Sequence, residues 1–98
     1  MKEKLLNVIN LNPNSSFVVK ISNRWELNEL FECINPLNFG GVLPLEDLME
    51  NGFNDYNPVG FKLSTTNKMI SYNSIEHWKE LGYTVVEYNK TKSEFDYC

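Results

Sequence analysis

The stretch "VGFKLSTTNKMISYNSIEHWKELGYTVVEYN", residues 59–89, decides the fold. It begins with two runs of alternating apolar and polar residues on either side of "STTN", a pattern typical of a β-hairpin. Asn73 is followed three residues later by Glu76, which predicts a capped helix that runs to Leu81 and ends at Gly82. The β-branched residues of "YTVVEYN" then predict a strand. The stretch therefore predicts two strands, a helix and a further strand.

The first part of the chain predicts two helices and one strand. Residues 2–11 have the apolar spacing of a short helix, and residues 16–22, "SFVVKIS", are rich in the β-branched residues of a strand. Asn23 and Glu26 repeat the capping pattern, so a second helix is expected to begin there and to stop near Asn35. The residues expected to face inward are Leu5, Leu6, Ile9, Phe17, Val19, Ile21, Phe61 and Leu63, with Val18 on the opposite face of its strand.

The segment between the second helix and the hairpin, residues 36–58, is rich in Pro and Gly. It leaves room for at most one short helix, "PLEDLMEN", residues 44–51. An irregular segment of this length is uncommon in a small domain and often carries function. The alternative is a surface loop closed by an apolar plug of its own, made of Leu45, Leu48, Met49 and Phe53. Residues 90–98 are expected to form a frayed tail or an extension of the sheet edge.

Taken in order, the elements predict an α+β fold with an antiparallel sheet of about four strands and two to three helices on one face. Residues 1–98 are expected to form a single domain, because two separate cores would each be too small to be stable. No apolar run approaches the length of a membrane-spanning helix, and "MKEKLLNVIN" lacks the apolar core of a signal peptide. The protein is therefore expected in the cytoplasm, without membrane contact, and with Cys33 and Cys98 as free thiols.

Charge is distributed unevenly along the chain. Residues 1–24 carry a net charge of +3, residues 62–98 are neutral overall, and residues 25–61 contain seven acids and no Lys or Arg. The seven acids are Glu26, Glu29, Glu32, Glu46, Asp47, Glu50 and Asp55. An acidic block of this size attracts basic partners and repels nucleic acid, so direct binding to nucleic acid is not expected. The alternative is a solvated helix face followed by a hydrophilic loop.

Trp25 lies on the polar side of the second helix. At about 100° per residue, the apolar residues within 27–34 form one stripe, whereas Trp25 falls nearly opposite, in company with Glu29 and Glu32. Such a Trp is either covered by the N-terminal helix or by residues 36–58, or it is exposed as an interface anchor. The sequence therefore indicates as partner-binding residues Trp25, Glu29, Glu32, Glu46, Asp47, Glu50 and Asp55.

No pattern in the chain identifies a catalytic or metal site. His77 is the only histidine and is expected to be half exposed on the flank of its helix. Neither Cys33 nor Cys98 belongs to a CxxC or Cys–His spacing. A Cys33–His77 nucleophile–base pair is the one arrangement that the sequence leaves open. We therefore expect no enzyme activity, no metal ion and no cofactor.

In size, acidity and composition, and in the alternation of strand, helix and strand through "FVVKIS" and "MISYNSIEHWKELGYTVVEY", the chain resembles the small accessory proteins of phages from low-GC bacteria. Its composition follows AT-rich codons, with fourteen Asn and no Ala or Gln. Many such proteins bind and disable one host enzyme or defence component, so the resemblance implies an inhibitory, anti-defence role in the host cytoplasm. It carries no functional residue over to this chain.

Two functions follow as hypotheses. The first is a non-enzymatic inhibitor or binding protein that uses its acidic residues to occupy a basic site on a partner protein, such as a site meant for nucleic acid. This hypothesis leaves homodimerisation open. The second is a binder or sponge that captures a small nucleotide-like signal between subunits, using aromatic residues such as Trp78, Tyr72 and Tyr83 together with Lys62 and Lys68.

Overall fold

A computed structural model of the protein describes residues 1–98, which contain four helices and five strands. In chain order they are α1 (Lys2–Leu11), β1 (Ser16–Ile21), α2 (Arg24–Ile34), α3 (Leu45–Asp55), β2 (Val59–Ser64), β3 (Met69–Ser74), α4 (Ile75–Glu80), β4 (Val85–Asn89) and β5 (Glu94–Tyr97). None of the helices has the length and the apolar character that crossing a membrane requires.

The five strands form one sheet in the order β3–β2–β1–β4–β5. All neighbours are antiparallel except β1 and β4, which run parallel with Val18 beside Val85. The predicted α+β class is confirmed, with five strands in place of about four. The additional strand is β5, which pairs Phe95 with Tyr88 and makes the last residues an extension of the sheet edge. The parallel pair arises because two helices, a hairpin and α4 intervene between β1 and β4, which is enough chain for a crossover.

The two faces of the sheet are covered unequally. α1, α2 and α3 lie on one face, in a cluster of 16 buried apolar residues, whereas α4 packs its Trp78 against Val18 and Val85 on the other face. β1 serves both clusters, because Val19 points one way and Val18 the other, as the alternation predicts. The expectation of helices on one face thus holds for three of the four. Leu6 was expected inward but is 39% exposed on α1.

The predicted start of α2 is confirmed. The Asn23 side-chain oxygen accepts a hydrogen bond from the Glu26 backbone N–H at 2.9 Å. The Glu26 carboxylate in turn accepts one from the Ser22 backbone N–H at 2.8 Å. The helix ends at Ile34, next to the residue where the sequence predicts its stop. Two donors at the start of α2 are therefore satisfied by side chains three residues apart.

The predicted cap of α4 is wrong by one residue. The Ser74 hydroxyl, and not the Asn73 side chain, accepts the hydrogen bond from the His77 backbone N–H, at 3.1 Å. Asn73 instead pairs with Gly60 in the ladder between β2 and β3. The strand therefore continues up to the helix without a loop, and the cap falls on the last strand residue.

α3 is longer than its sequence pattern predicts. The helix expected over 44–51 continues for four further residues, through Gly52. Gly52 lies directly against the sheet, since a Cβ at this position would be 2.8 Å from the Tyr72 ring and 2.9 Å from the Phe61 ring. Packing against the sheet thus outweighs the poor helix propensity of an Asn–Gly pair. The alternative prediction, a surface loop with its own apolar plug, is also wrong. The four residues of that plug lie in or against the main cluster: Leu45, Leu48, Met49 and Phe53.

Candidate functional site

All seven acidic residues of the predicted binding surface lie on α2 and α3, which pack side by side on the three-helix face of the sheet. A small groove of about 90 Å³ runs between the two helices. It is lined by Leu27, Asn28 and Phe31 from α2 and by Glu46, Met49 and Glu50 from α3. Glu46 and Glu50 are one helical turn apart, so both carboxylates border the same groove. We call these six residues the acidic groove.

Two carboxylates at the start of α3 have no partner. Glu46 and Asp47 are exposed in the first turn of the helix, and neither makes an ion pair or a hydrogen bond. Pro44 is the N-cap, and no side chain caps this turn. Each acid beside an uncapped helix start is stabilised by the helix dipole, by about 0.3–1 kcal/mol. The two acids thus support the helix locally and remain available to a cation from outside.

Three other carboxylates meet cations from the first part of the chain. Glu29 lies 3.5 Å from the N-terminal ammonium group, and Glu32 lies 3.8 Å from Lys2 Nζ. Glu50 contacts the Arg24 guanidinium group. The pairs of Glu32 and Glu50 are exposed, and exposed pairs contribute about 0–1 kcal/mol, whereas the pair of Glu29 with the N-terminus is largely buried. In the folded protein, cations from residues 1–24 therefore partly neutralise the acidic residues of 25–61.

Glu26 and Asp55 do not belong to the acidic groove. Glu26 is 8% exposed and is held by the capping interaction at the start of α2. Asp55, at the end of α3, accepts a hydrogen bond from the Tyr72 hydroxyl at 2.9 Å. This bond raises the pKa of Tyr72 above its ordinary value of 10.0, because it stabilises the neutral hydroxyl, and ionisation would also place two negative charges together. Both acids are thus engaged within the molecule.

Trp25 is 41% exposed at the start of α2. Its ring centroid lies 5.9 Å from that of Tyr88, and Lys90 Nζ lies 4.6 Å from the centroid of the indole. A cation over an indole at an exposed site is attracted by about 0.5–1 kcal/mol. Its aromatic and cationic partners thus come from the β4–β5 hairpin, and not from α1 or residues 36–58 as the sequence suggests. The exposed part of the ring remains available to a partner.

The residues expected for a nucleotide-like ligand are only partly brought together. Trp78 and Tyr83 lie edge to face with centroids 5.6 Å apart, and Lys62 Nζ is 5.4 Å from one ring and 5.0 Å from the other. Trp78 is buried, and its indole N–H donates to a backbone carbonyl oxygen of β2 at 2.8 Å. Tyr72 packs on the opposite face of the sheet, and Lys68 lies in the hairpin turn. Within one chain, the set therefore forms no common site.

His77 and the two cysteines do not form a chemical site. His77 is half-buried on α4, with its ring centroid 5.1 Å from that of Trp78. Cys33 lies on α2, across the sheet from α4, so the Cys33–His77 pair that the sequence left open is not formed. Burial raises the pKa of the Cys33 thiol. No group of three or more His, Cys, Asp or Glu side chains is placed to hold a metal ion.

Sequence reasoning missed a cleft of about 320 Å³ between the end of α1 and β5. Its apolar lining consists of Val8, Leu11, Phe17, Val86, Phe95 and Tyr97. Leu11 and Tyr97 are 80% and 83% exposed, so they lie on its open side. The signal that could have revealed it is the alternation of acids and aromatic rings in "EFDY", residues 94–97, which is typical of a strand with one apolar face.

Comparison with known proteins gives no match to a family model, to a curated protein or to a solved structure. It therefore supplies no role for any residue of the acidic groove or of the α1–β5 cleft.

Proposed function

We propose that this chain is a non-enzymatic binding protein that sets its acidic α2–α3 surface against a basic surface of a partner protein. One observation carries this proposal: Glu46 and Asp47 are unpartnered and lie beside Glu50, in a stretch, residues 25–61, that contains no Lys or Arg. Lys or Arg side chains of a partner would donate charge-assisted hydrogen bonds to these carboxylates.

The electrostatic field of this surface supports a role in recognition. Carboxylates that are not neutralised attract a basic protein before contact, over a distance of about 8 Å at physiological ionic strength. The cations that now face Glu32 and Glu50 are on exposed side chains, so the cations of a partner can replace them. Such attraction mainly raises the association rate and selects the orientation of the complex.

The resemblance to small phage proteins supplies the class of partner, a basic host or defence protein of the bacterial cytoplasm. A surface that such a protein uses for nucleic acid is rich in Lys and Arg and fits the acidic groove. In this proposal the chain competes with nucleic acid for that surface and does not bind nucleic acid itself, because its own carboxylates repel phosphate.

The test compares two matched pairs of neutralising substitutions in the tagged full chain. Glu46→Gln with Asp47→Asn removes the unpartnered carboxylates, whereas Glu76→Gln with Glu80→Gln removes two exposed carboxylates of α4 on the opposite face. A partner captured from a bacterial lysate and identified by mass spectrometry should bind the first variant about tenfold more weakly and the second like the wild type. Equal binding by the two variants would exclude a role of Glu46 and Asp47 in binding and would contradict the proposed function.

Salt and Trp25 give an independent readout with the same partner. Association is expected to slow steeply as added salt shortens the Debye length below about 8 Å. Trp25→Ala should instead raise the dissociation rate and leave the salt dependence unchanged, because an aromatic anchor acts after contact. If Trp25→Ala lowers the melting temperature and leaves binding unchanged, the indole serves only to pack the β4–β5 hairpin.

A further inference from the structure

The outer edge of β5 is an open sheet edge. β5 pairs with β4 on one side, and no strand pairs with its other side. The Cys98 N–H donates to the Val85 carbonyl oxygen at 2.8 Å, so alternate residues of this segment turn their backbone groups towards β4. Phe95 and Tyr97, at the intervening positions, turn their N–H and C=O groups outward. These groups are available to a further strand.

The opposite edge of the sheet, along β3, is partly occupied. The Gly40 N–H donates to the Lys68 carbonyl oxygen at 3.0 Å, and the Ile70 N–H donates to the Gly40 carbonyl oxygen at 2.9 Å. Gly40 thus forms a parallel bridge beside Met69. Of the two edges, β5 is therefore the one that offers its backbone along its full length.

The α1–β5 cleft lies directly beside this open edge. Phe95 and Tyr97 contribute their rings to the cleft, and Leu11 of α1 lines it from the other side. A strand added to β5 would point every second side chain towards the cleft, because side chains alternate between the two faces of a sheet. A volume of about 320 Å³ whose lining includes six apolar residues accepts apolar side chains at those positions.

The other side of an added strand would face carboxylates. Glu94 is exposed and has no ion-pair partner, whereas Asp96 lies 3.4 Å from Lys92 Nζ and accepts a hydrogen bond from Asn89 at 3.0 Å. Opposite charges on neighbouring strands are favourable, and like charges are unfavourable. Lys or Arg is therefore the residue type that suits these alternate positions.

A second copy of this chain fits the edge poorly. Antiparallel pairing of two β5 strands through the outward groups of Phe95 would place acid opposite acid. In one register Asp96 faces its own counterpart, and in the next Glu94 faces the counterpart of Asp96. The charges that suit a basic segment thus disfavour self-pairing.

We propose that the β5 edge and the α1–β5 cleft bind an extended peptide segment in which apolar residues alternate with Lys or Arg. The backbone of the segment pairs with Phe95 and Tyr97, its apolar side chains enter the cleft, and its cations face Glu94 and Asp96. This binding site lies outside the acidic groove and does not depend on the function proposed above.

The test uses the ¹⁵N-labelled full chain and the acetylated, amidated peptide KVKVKVK. Addition of the peptide is expected to slow hydrogen exchange of the Phe95 and Tyr97 amides at least tenfold, because both become hydrogen-bonded. The peptide EVEVEVE keeps the alternation and reverses the charge, and KKVVVKK is basic without the alternation. Both control peptides should bind at least tenfold more weakly than KVKVKVK.

Two substitutions at one position isolate the backbone contact. Tyr97→Ala removes the ring and keeps the outward N–H, whereas Tyr97→Pro also removes the N–H, at a position that makes no ladder bond to β4. The proline variant should bind KVKVKVK about threefold to tenfold more weakly than the alanine variant. Glu94→Lys leaves the backbone intact and should reduce the preference for KVKVKVK over EVEVEVE at least fivefold. That variant decides the question if the proline variant does not fold.

Four results would overturn the proposal. One is binding of KVKVKVK without protection of the Phe95 and Tyr97 amides, and another is equal binding of the basic and acidic peptides. The third is no binding of KVKVKVK at millimolar concentration. Protection of the same amides that rises with protein concentration alone, together with dimers in sedimentation, would assign the edge to a second copy and would overturn it as well.

Discussion

Gly52 sets how closely α3 approaches the sheet. Gly52→Ala should lower the free energy of unfolding by up to about 2 kcal/mol, because overpacking costs about 1–3 kcal/mol and the better helix propensity of Ala returns about 1 kcal/mol. Asn51→Ala is the matched control, since Asn51 is exposed in the same helix, and it should be neutral or slightly stabilising. Urea unfolding measures both. A stabilised Gly52→Ala variant would mean that α3 stands further from the Phe61 and Tyr72 rings.

The hydrogen bond from Tyr72 to Asp55 links stability to pH. Because the pKa of Tyr72 is raised in the folded chain, the contribution of this group is complete below about pH 10 and is lost as the pH rises through the raised pKa. Asp55→Asn should return the pKa of Tyr72 towards 10.0, as followed by NMR of ¹³C-labelled tyrosine. Glu46→Gln, in the same helix and without contact to Tyr72, serves as the control. Identical Tyr72 titrations in the wild type and in Asp55→Asn would contradict the assignment.

At the scale of elements, α2 and α4 each begin with one side-chain cap. Asn23→Ala and Ser74→Ala should each lower the free energy of unfolding by about 1 kcal/mol, and the two losses should add, because the caps lie on separate helices. Asn73→Ala is the matched control and should cost less, since the Asn73 side chain accepts only from the adjacent Ser74 N–H, at 2.7 Å. Urea unfolding of the three variants and of the Asn23–Ser74 double variant checks this. A larger loss at Asn73 than at Ser74 would move the start of α4 back by one residue.

The elements that could be predicted from the sequence are those fixed by local interactions. The start of α2 depends on Asn23 and Glu26, which are three residues apart, and both strands of the hairpin depend on alternation within a short stretch. The length of α3 depends on contact with a ring of β2 and a ring of β3. The parallel pair of β1 and β4 joins Val18 to Val85, and no local pattern specifies it. The length of α3 and the parallel pairing of β1 with β4 therefore depend on contacts between segments far apart in the chain, which local sequence patterns do not predict.

For the candidate site too, local sequence patterns predict one part, and contacts between distant segments determine the rest. The distribution of charge along the sequence identifies the acidic block, and helical spacing places Trp25 on the polar side of its helix. The partners of these residues come from elsewhere: Lys2 and Arg24 from the start of the chain, and Tyr88 and Lys90 from the β4–β5 hairpin. Which carboxylates remain unpartnered is thus a property of the folded chain and has no signature in the sequence.

At the scale of the whole molecule, β1 joins the two apolar clusters, since its side chains alternate between them. We expect such an arrangement to unfold as a single cooperative unit, and unfolding experiments test the prediction of one domain. Ile34→Val in the larger cluster should cost about 0.5–1.5 kcal/mol, and Val85→Ala in the smaller cluster should cost about 1–3 kcal/mol. Each should shift one common urea transition without changing its m-value. Two separate transitions, seen by Trp fluorescence and by circular dichroism, would contradict one domain.

Because Gly40 bridges part of β3, β5 is the only edge of the sheet that is open along its full length. A fibre built from stacked sheets grows without limit only if each copy, once added, presents a fresh accepting edge to the next. Here a copy that joined through β5 would present a β3 edge already partly filled by its own Gly40, which disfavours the addition of a further copy. The two hydrogen bonds of Gly40 therefore work against edge-to-edge growth, and their removal would weaken that protection.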